Sequence, residues 1–189
     1  MGHQSDAGEL MDRAALEHII RAAGNVLGEQ SVIIIGSQAI LASFDENRLP
    51  VDAMRSMEAD VLPLDDPDGS KADLIDGVLG ELSQFDETFG YHGDGVSVET
   101  AVLPVGWESR LIPYENENTN GVTGLCLDRH DLCVAKLAAH REKDLTFVAS
   151  LYRAHLIDIS IILRRLNQTS LPDELRGRIG SFLSQFARG

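Results

Sequence analysis

From Asp12 onward the apolar positions recur at helical spacing. Leu16, Ile19, Ile20, Ala23 and Leu27 share one face, Asp12 is a natural N-cap, and Gly28 ends the run. Val32 to Ile35 is a short, wholly apolar run, the pattern of a strand buried on both faces, and it drives straight into Gly36 and Ser37. A short helix is predicted from about Ser37 to Phe44, then loop, then a second strand over about Met57 to Leu62. Next comes a helix over about Lys71 to Phe85 whose apolar face is Leu74, Ile75, Val78, Leu79 and Leu82. "GYHGDG" has the composition of a loop. Further strands are predicted over about Val96 to Leu103, about Ser109 to Tyr114 and the "VTGLCL" stretch. Beyond Asp128 the pattern is helical, over about 129 to 154 with room for a break, then about 157 to 167 and 172 to 187.

This order predicts an α/β (α+β) chain: a mixed sheet flanked by helices, with a helical C-terminal region. Residues 1–11 are expected to be a loose leader, 12–127 the α/β core, and 128–189 helices packed on or beside it. There is no internal repeat. The 189 residues are 43% hydrophobic and 24% charged, ample for a packed core. A formal net charge of −14 argues against unspecific wrapping of nucleic acid, which needs a basic surface. The start lacks the apolar segment of a signal peptide, and no run approaches the roughly eighteen residues of a membrane span. The expected location is therefore the reducing cytoplasm, with Cys126 and Cys133 as free thiols.

Candidate chemistry begins at the Gly-Ser corner. Gly36 allows a tight turn and close approach to a ligand, and Ser37 opens a helix, where free N–H groups favour an anion or the hydroxyl simply caps. About twenty positions on, Glu58 and Asp60 alternate along a predicted strand and so share a face. Two like charges side by side call for a neutralising partner, and Mg2+ or Mn2+ with substrate phosphates would serve; a solvated edge strand is the other reading. Glu99, in "VSVETAVLP", is either a third metal-binding acid or an ion-pair partner for Arg110 or Arg141.

On the predicted helix after 129, Lys136, His140 and Lys143 fall at i, i+4 and i+7 on one face, with Arg141 pointing further away. Asp144 follows about 80° round from Lys136 at 100° per residue. This cationic stripe is either a solvated face or a phosphate-binding one. Trp107 is expected to be a core anchor. His3, His18, His92, His130 and His155 show no ligand spacing.

"GSQAIL" with "RSMEAD" resembles the hG[GS]…[DE]h[DE]h signature of nucleotidyltransferases with a polymerase-β-like fold. Over about 12 to 165 the chain resembles a bacterial nucleotidyltransferase-like family of unknown function, through "GSQAIL", "SMEADV", "ETAVLPVGWESRL" and "CLDRHDLCVAKLAAHREKDL". AbiEii-like toxin nucleotidyltransferases are its better-understood relatives. The resemblance implies Gly36, Ser37 and Lys136 as nucleotide-binding residues, Glu58 and Asp60 with Glu99 as metal ligands, and Lys136, Asp144 and Asp60 as catalytic. It implies transfer of an NMP from an NTP to a hydroxyl on tRNA, a protein or a small molecule, with Mg2+ or Mn2+, in a toxin–antitoxin or defence system beside a cognate antitoxin. One departure is Glu58, where active transferases usually carry Asp; the alternative is a catalytically silent module that binds nucleotide or a partner. The apolar "LIDISIIL" stretch serves either a homodimer or the core.

Overall fold

The computed structural model describes residues 10–186. Helix α1 (Arg13–Leu27) starts where the Asp12 carboxylate accepts the Ala15 N–H at 2.8 Å, and stops at Gly28 in the left-handed region, φ 68°. Its stripe of Leu16, Ile19, Ile20 and Ala23 is fully buried. The predicted leader lies outside the described residues up to residue 9, whereas Met11 is buried and its N–H donates to Met54 O at 3.3 Å.

Strand β1 (Ser31–Ile34) leads to a 3₁₀ turn at Ser37–Ala39 and a single turn of helix, α2 (Ile40–Ser43). There follow β2 (Glu58–Leu62), α3 (Ser70–Leu79), α4 (Gln84–Phe89), β3 (His92–Gly95), β4 (Ile112–Tyr114) and β5 (Thr123–Cys126). The C-terminal helices are α5 (Arg129–Ala139), α6 (Glu142–Arg153), α7 (Ile159–Asn167) and α8 (Asp173–Leu183). The strands form one mixed sheet in the order β3-β2-β1-β5-β4. Within it β1 runs antiparallel to β2 and parallel to β5, β2 parallel to β3, and β4 antiparallel to β5.

Four predicted elements are corrected. The helix expected over 71–85 ends at Leu79, and α4 follows as a separate helix. Only Ile75 and Leu79 of its expected apolar face are buried; Leu74 and Val78 are exposed, and Leu82 is 82% exposed in the connection with φ 62°. The strand expected over 96–103 is absent, replaced by a 3₁₀ turn at Val98–Thr100, and the supposed loop "GYHGDG" contains β3. Close packing crowds position 93 and requires glycine at position 95. A Cβ on Gly93 would lie 3.0 Å from Ile19 Cγ2, and one on Gly95 would lie 2.0 Å from Ala72 O. The strand expected over 109–114 is shorter, because Trp107–Arg110 is a 3₁₀ turn. The break allowed for within the helical stretch 129–154 falls at His140, which takes the left-handed conformation, φ 54°, and donates its N–H to Lys136 O at 3.0 Å.

Buried side chains of β1, β2, α1, α3 and all four C-terminal helices belong to one hydrophobic core. Trp107 is buried in it, as expected of an anchor. In "LIDISIIL", Leu156, Ile157 and Ile162 are buried as well, while Leu163 stays exposed. No helix among the described residues is long and apolar enough to cross a membrane.

Candidate active site

The Gly-Ser corner is built by crowding. Gly36 has φ −82° and ψ −169°, ordinary extended values that any residue adopts. A Cβ there would sit 1.7 Å from Asp60 Oδ2, so the position is glycine because the Asp60 carboxylate lies against it. The Ile35 N–H donates to Asp60 O at 3.1 Å, which closes the β1–β2 pairing just before the corner. Ser37 is half-buried at the cleft wall, and the turn it opens has no side-chain cap. Because the helical start is a 3₁₀ turn with one α turn behind it, its dipole is small, and what the corner offers an anion is its backbone and the Ser37 hydroxyl. Gln38, missed in the sequence, is fully buried and donates from Nε2 to Ser56 O, tying the corner to the segment that enters β2.

Glu58 and Asp60 share a face of β2, and the fully buried Ala59 and Val61 alternate with them toward α1 and α3. Parallel pairing places His92 beside Glu58 and Asp94 beside Asp60. Burial raises the Asp60 pKa first, and the neighbouring Glu58 and Asp94 charges raise it further against the opposing pull of Lys136 and Arg141. Asp94 is also raised, by burial first and then by Glu58 and Asp76, with His92 opposing. Neither His92 nor Asp94 was marked as a site residue by the sequence. The signal that finds them is the H-x-D alternation of "HGDG", which repeats the E-x-D of β2.

Opposite the acids stands a cationic wall made by the break at His140. The Asp144 carboxylate, 1% exposed, accepts the Arg141 Nε–H at 2.6 Å and lies 3.3 Å from Lys136 Nζ. Burial alone would raise its pKa, but the Arg141 hydrogen bond and the Lys136 charge outweigh that and hold it below the usual carboxylate value. Lys136 Nζ also sits 5.5 Å from the centre of the Phe147 ring. The expected neighbourhood of Lys136 and Asp144 is thus present, produced by a bend rather than by one continuous helix. Arg141, expected to point away, lines the cleft. The break ends the single face expected of Lys136, His140 and Lys143; Lys143 still lines the cleft, while the Nδ1 of His140 is buried without a hydrogen-bond partner among the described residues.

Glu99 is not brought to this place. It is exposed on the Val98–Thr100 turn, and its two suggested partners are engaged elsewhere, Arg110 with Asp131 at 2.8 Å and Arg141 with Asp144. The acid beside Asp60 is Asp94. Cys126 and Cys133 are free and buried, and burial pushes the Cys126 thiol up to about 12.

Gly36, Ser37, Glu58, Asp60, Lys136, Arg141 and Asp144 all line one cleft of about 1060 Å³. Its oxygen donors, crowded on one sheet face and closed by a glycine with no room for a Cβ, suit a hard divalent cation. The opposing cations suit an anion such as a polyphosphate. No curated protein and no solved structure matches the chain. Residues 14–178 match the family described as "Nucleotidyltransferase of unknown function (DUF6036)", and the chain belongs to that family.

Proposed function

We propose that this cleft performs metal-dependent nucleotidyl transfer, moving an NMP from an NTP to an acceptor hydroxyl. The observation that carries the reading is the meeting, in one cleft, of the Glu58–Asp60 acidic wall and the Lys136–Arg141 cationic wall across the Gly36–Ser37 corner. In the reaction the acceptor oxygen bonds to the α-phosphorus, the bond from that phosphorus to the bridging oxygen breaks, and pyrophosphate leaves with the electron pair. The acceptor proton passes to solvent or to a nearby carboxylate. Glu58 and Asp60 would hold a divalent cation, Mg2+ or Mn2+, which would supply charge neutralisation on the phosphate.

Ser37 and the corner backbone receive phosphate oxygens. Lys136 and Arg141 offset the charge that grows on the departing pyrophosphate. Asp144 positions both cations; held below the usual carboxylate pKa and engaged by two partners, it serves poorly as a base. A net charge of −14 favours a protein or small-molecule hydroxyl over tRNA as the acceptor. The toxin–antitoxin or defence setting rests on the motif resemblance.

The test is label transfer from each α-labelled NTP with Mg2+ or Mn2+, with and without total tRNA, beside an Asp60→Asn variant. Label on a macromolecule or small acceptor, lost in the variant, is the expected result and names base and acceptor class together. The second reading, nucleotide binding without turnover, is favoured by Glu58 in place of the usual Asp. It predicts metal-dependent NTP binding by calorimetry with no label moved. Absence of both sinks the transfer reading.

A further inference from the structure

The parallel pairing of β2 with β3 makes a two-by-two grid of polar side chains on one sheet face. Glu58 faces His92 and Asp60 faces Asp94 across the strands, while Gly93 and Gly95 turn to the opposite face against Ile19 and Ala72. Within this grid Asp60 leans onto the Gly36 corner. Glu58, His92 and Asp94 form a tighter group, each offering a ligand atom within 4.8 Å of the others. The His92 ring is held from outside the group. Its Nδ1 lies 3.2 Å from the carboxylate Oδ1 of Asp86, which is fixed in the first turn of α4 by accepting the Leu82 N–H at 3.0 Å. The other nitrogen, Nε2, stands 3.8 Å from Asp94 Oδ1.

That second separation is too long for a hydrogen bond. It is close to what two ligands show across a shared ion, since bonds of about 2.1 Å at tetrahedral or octahedral angles leave ligand atoms about 3 to 3.5 Å apart. An imidazole that gives one N–H to a carboxylate and turns its lone pair to a cluster of acids is oriented as metal-bound histidines are. Imidazole also changes which ion is favoured. Oxygen-only sites suit Mg2+, whereas a nitrogen donor favours first-row transition metals.

We propose that Glu58, His92 and Asp94 bind one first-row transition-metal ion in preference to Mg2+, with Asp86 positioning the His92 ring. The role of the ion in nucleotidyl transfer rests on the function proposed above; its binding does not. The extra methylene of Glu58 is then accounted for, because the longer side chain reaches toward His92 and Asp94.

The experiment is titration of the metal-free full-length protein with Co2+ in the absence of nucleotide. It is followed by calorimetry and by visible absorption, which reports the ligand field of the ion, with Mg2+ as competitor. One Co2+ per chain is expected, bound at least about 100-fold more tightly than Mg2+, as a nitrogen donor favours the softer ion. Asp86→Asn should weaken Co2+ by about 10- to 100-fold with the spectrum retained, because only the outer partner changes. His92→Gln should weaken it more and alter the spectrum. Asp86 lies outside the β3 strand, so that variant keeps the test sound if His92→Gln disturbs folding, which circular dichroism reports. Equal affinity for Co2+ and Mg2+ overturns the proposal, and so does an Asp86→Asn protein that binds Co2+ like the wild type. Tight Co2+ binding without nucleotidyl transfer supports the site and removes the transfer reading alone.

Discussion

At position 36 the constraint is room. The backbone angles suit any residue, yet a methyl group there would occupy the space of the Asp60 carboxylate. Gly36→Ala should therefore leave the fold near its native stability while swinging Asp60 out of the cleft. On the function proposed above, metal-dependent NTP binding, measured by calorimetry, should fall by about 10-fold or more, since the Asp60 carboxylate is displaced; unchanged binding would show that Asp60 is not held by the corner. The same scale explains what the sequence made visible. Glu58 and Asp60 are two residues apart on one strand, so covalent spacing alone puts them together. His92 and Asp94 reach them only through a strand pairing, whose one local sign is the H-x-D alternation of "HGDG", and Arg141 only through the helix break at His140. Glu99 illustrates the converse: its place in an apolar run suggested a strand, but the chain there is a short turn at the surface.

Elements were legible where burial and periodicity agree. β1 is apolar after Ser31 and α1 carries a clean stripe, and both lie within a residue or so of where the pattern predicts. β3 failed because its inward positions are glycines, which carry no hydrophobic signal; the strand is pressed so closely on α3 that a Cβ at 95 would collide with backbone, and one at 93 would crowd Ile19 of α1. The α3 pattern misled in the other direction, since Leu74 and Val78 are apolar but exposed. Two substitutions separate close packing from backbone freedom. Gly95→Ala sets a Cβ 2.0 Å from the Ala72 carbonyl oxygen, so β3 and α3 must part, with a cost of about 1–3 kcal/mol in urea unfolding. Gly77→Ala, inside α3 with nothing within 4 Å of the added Cβ, should instead stabilise by about 0.5–1 kcal/mol through helix propensity. If both variants shift stability the same way, the packing account of β3 is wrong.

Across the whole molecule a buried ion network ties the C-terminal helices to the chain before β4. Asp131 of α5, fully buried, accepts the Arg110 Nε–H at 2.8 Å and lies 3.0 Å from Arg165 Nη1 of α7. Asp128 pairs with the same Arg165 and caps α5 by accepting the His130 N–H at 2.9 Å, while His130 Nε2 accepts the Asp158 N–H at 3.0 Å. Burial works to raise the Asp128 pKa, but hydrogen bonds from His130 and Arg165 outweigh it and hold the carboxyl well below its ordinary value. Asp128 is therefore ionised in the folded protein at acidities where the unfolded chain, titrating near pH 4, is already protonated. Its contribution is present in full above about pH 5 and is lost as pH falls below about 4 toward the folded value. Asp128→Asn keeps the helix cap and removes the charge. Urea unfolding at pH 7 should find the variant less stable by roughly 2 kcal/mol, the worth of a hydrogen bond to a charged group. That gap should narrow steadily between about pH 4 and pH 2, because acid neutralises in the wild type what the substitution has already removed. Parallel stability curves through that range would mean that the Arg165 pairing does not set the acid limit of the fold, and that Asp131 with its two arginines carries the joint alone.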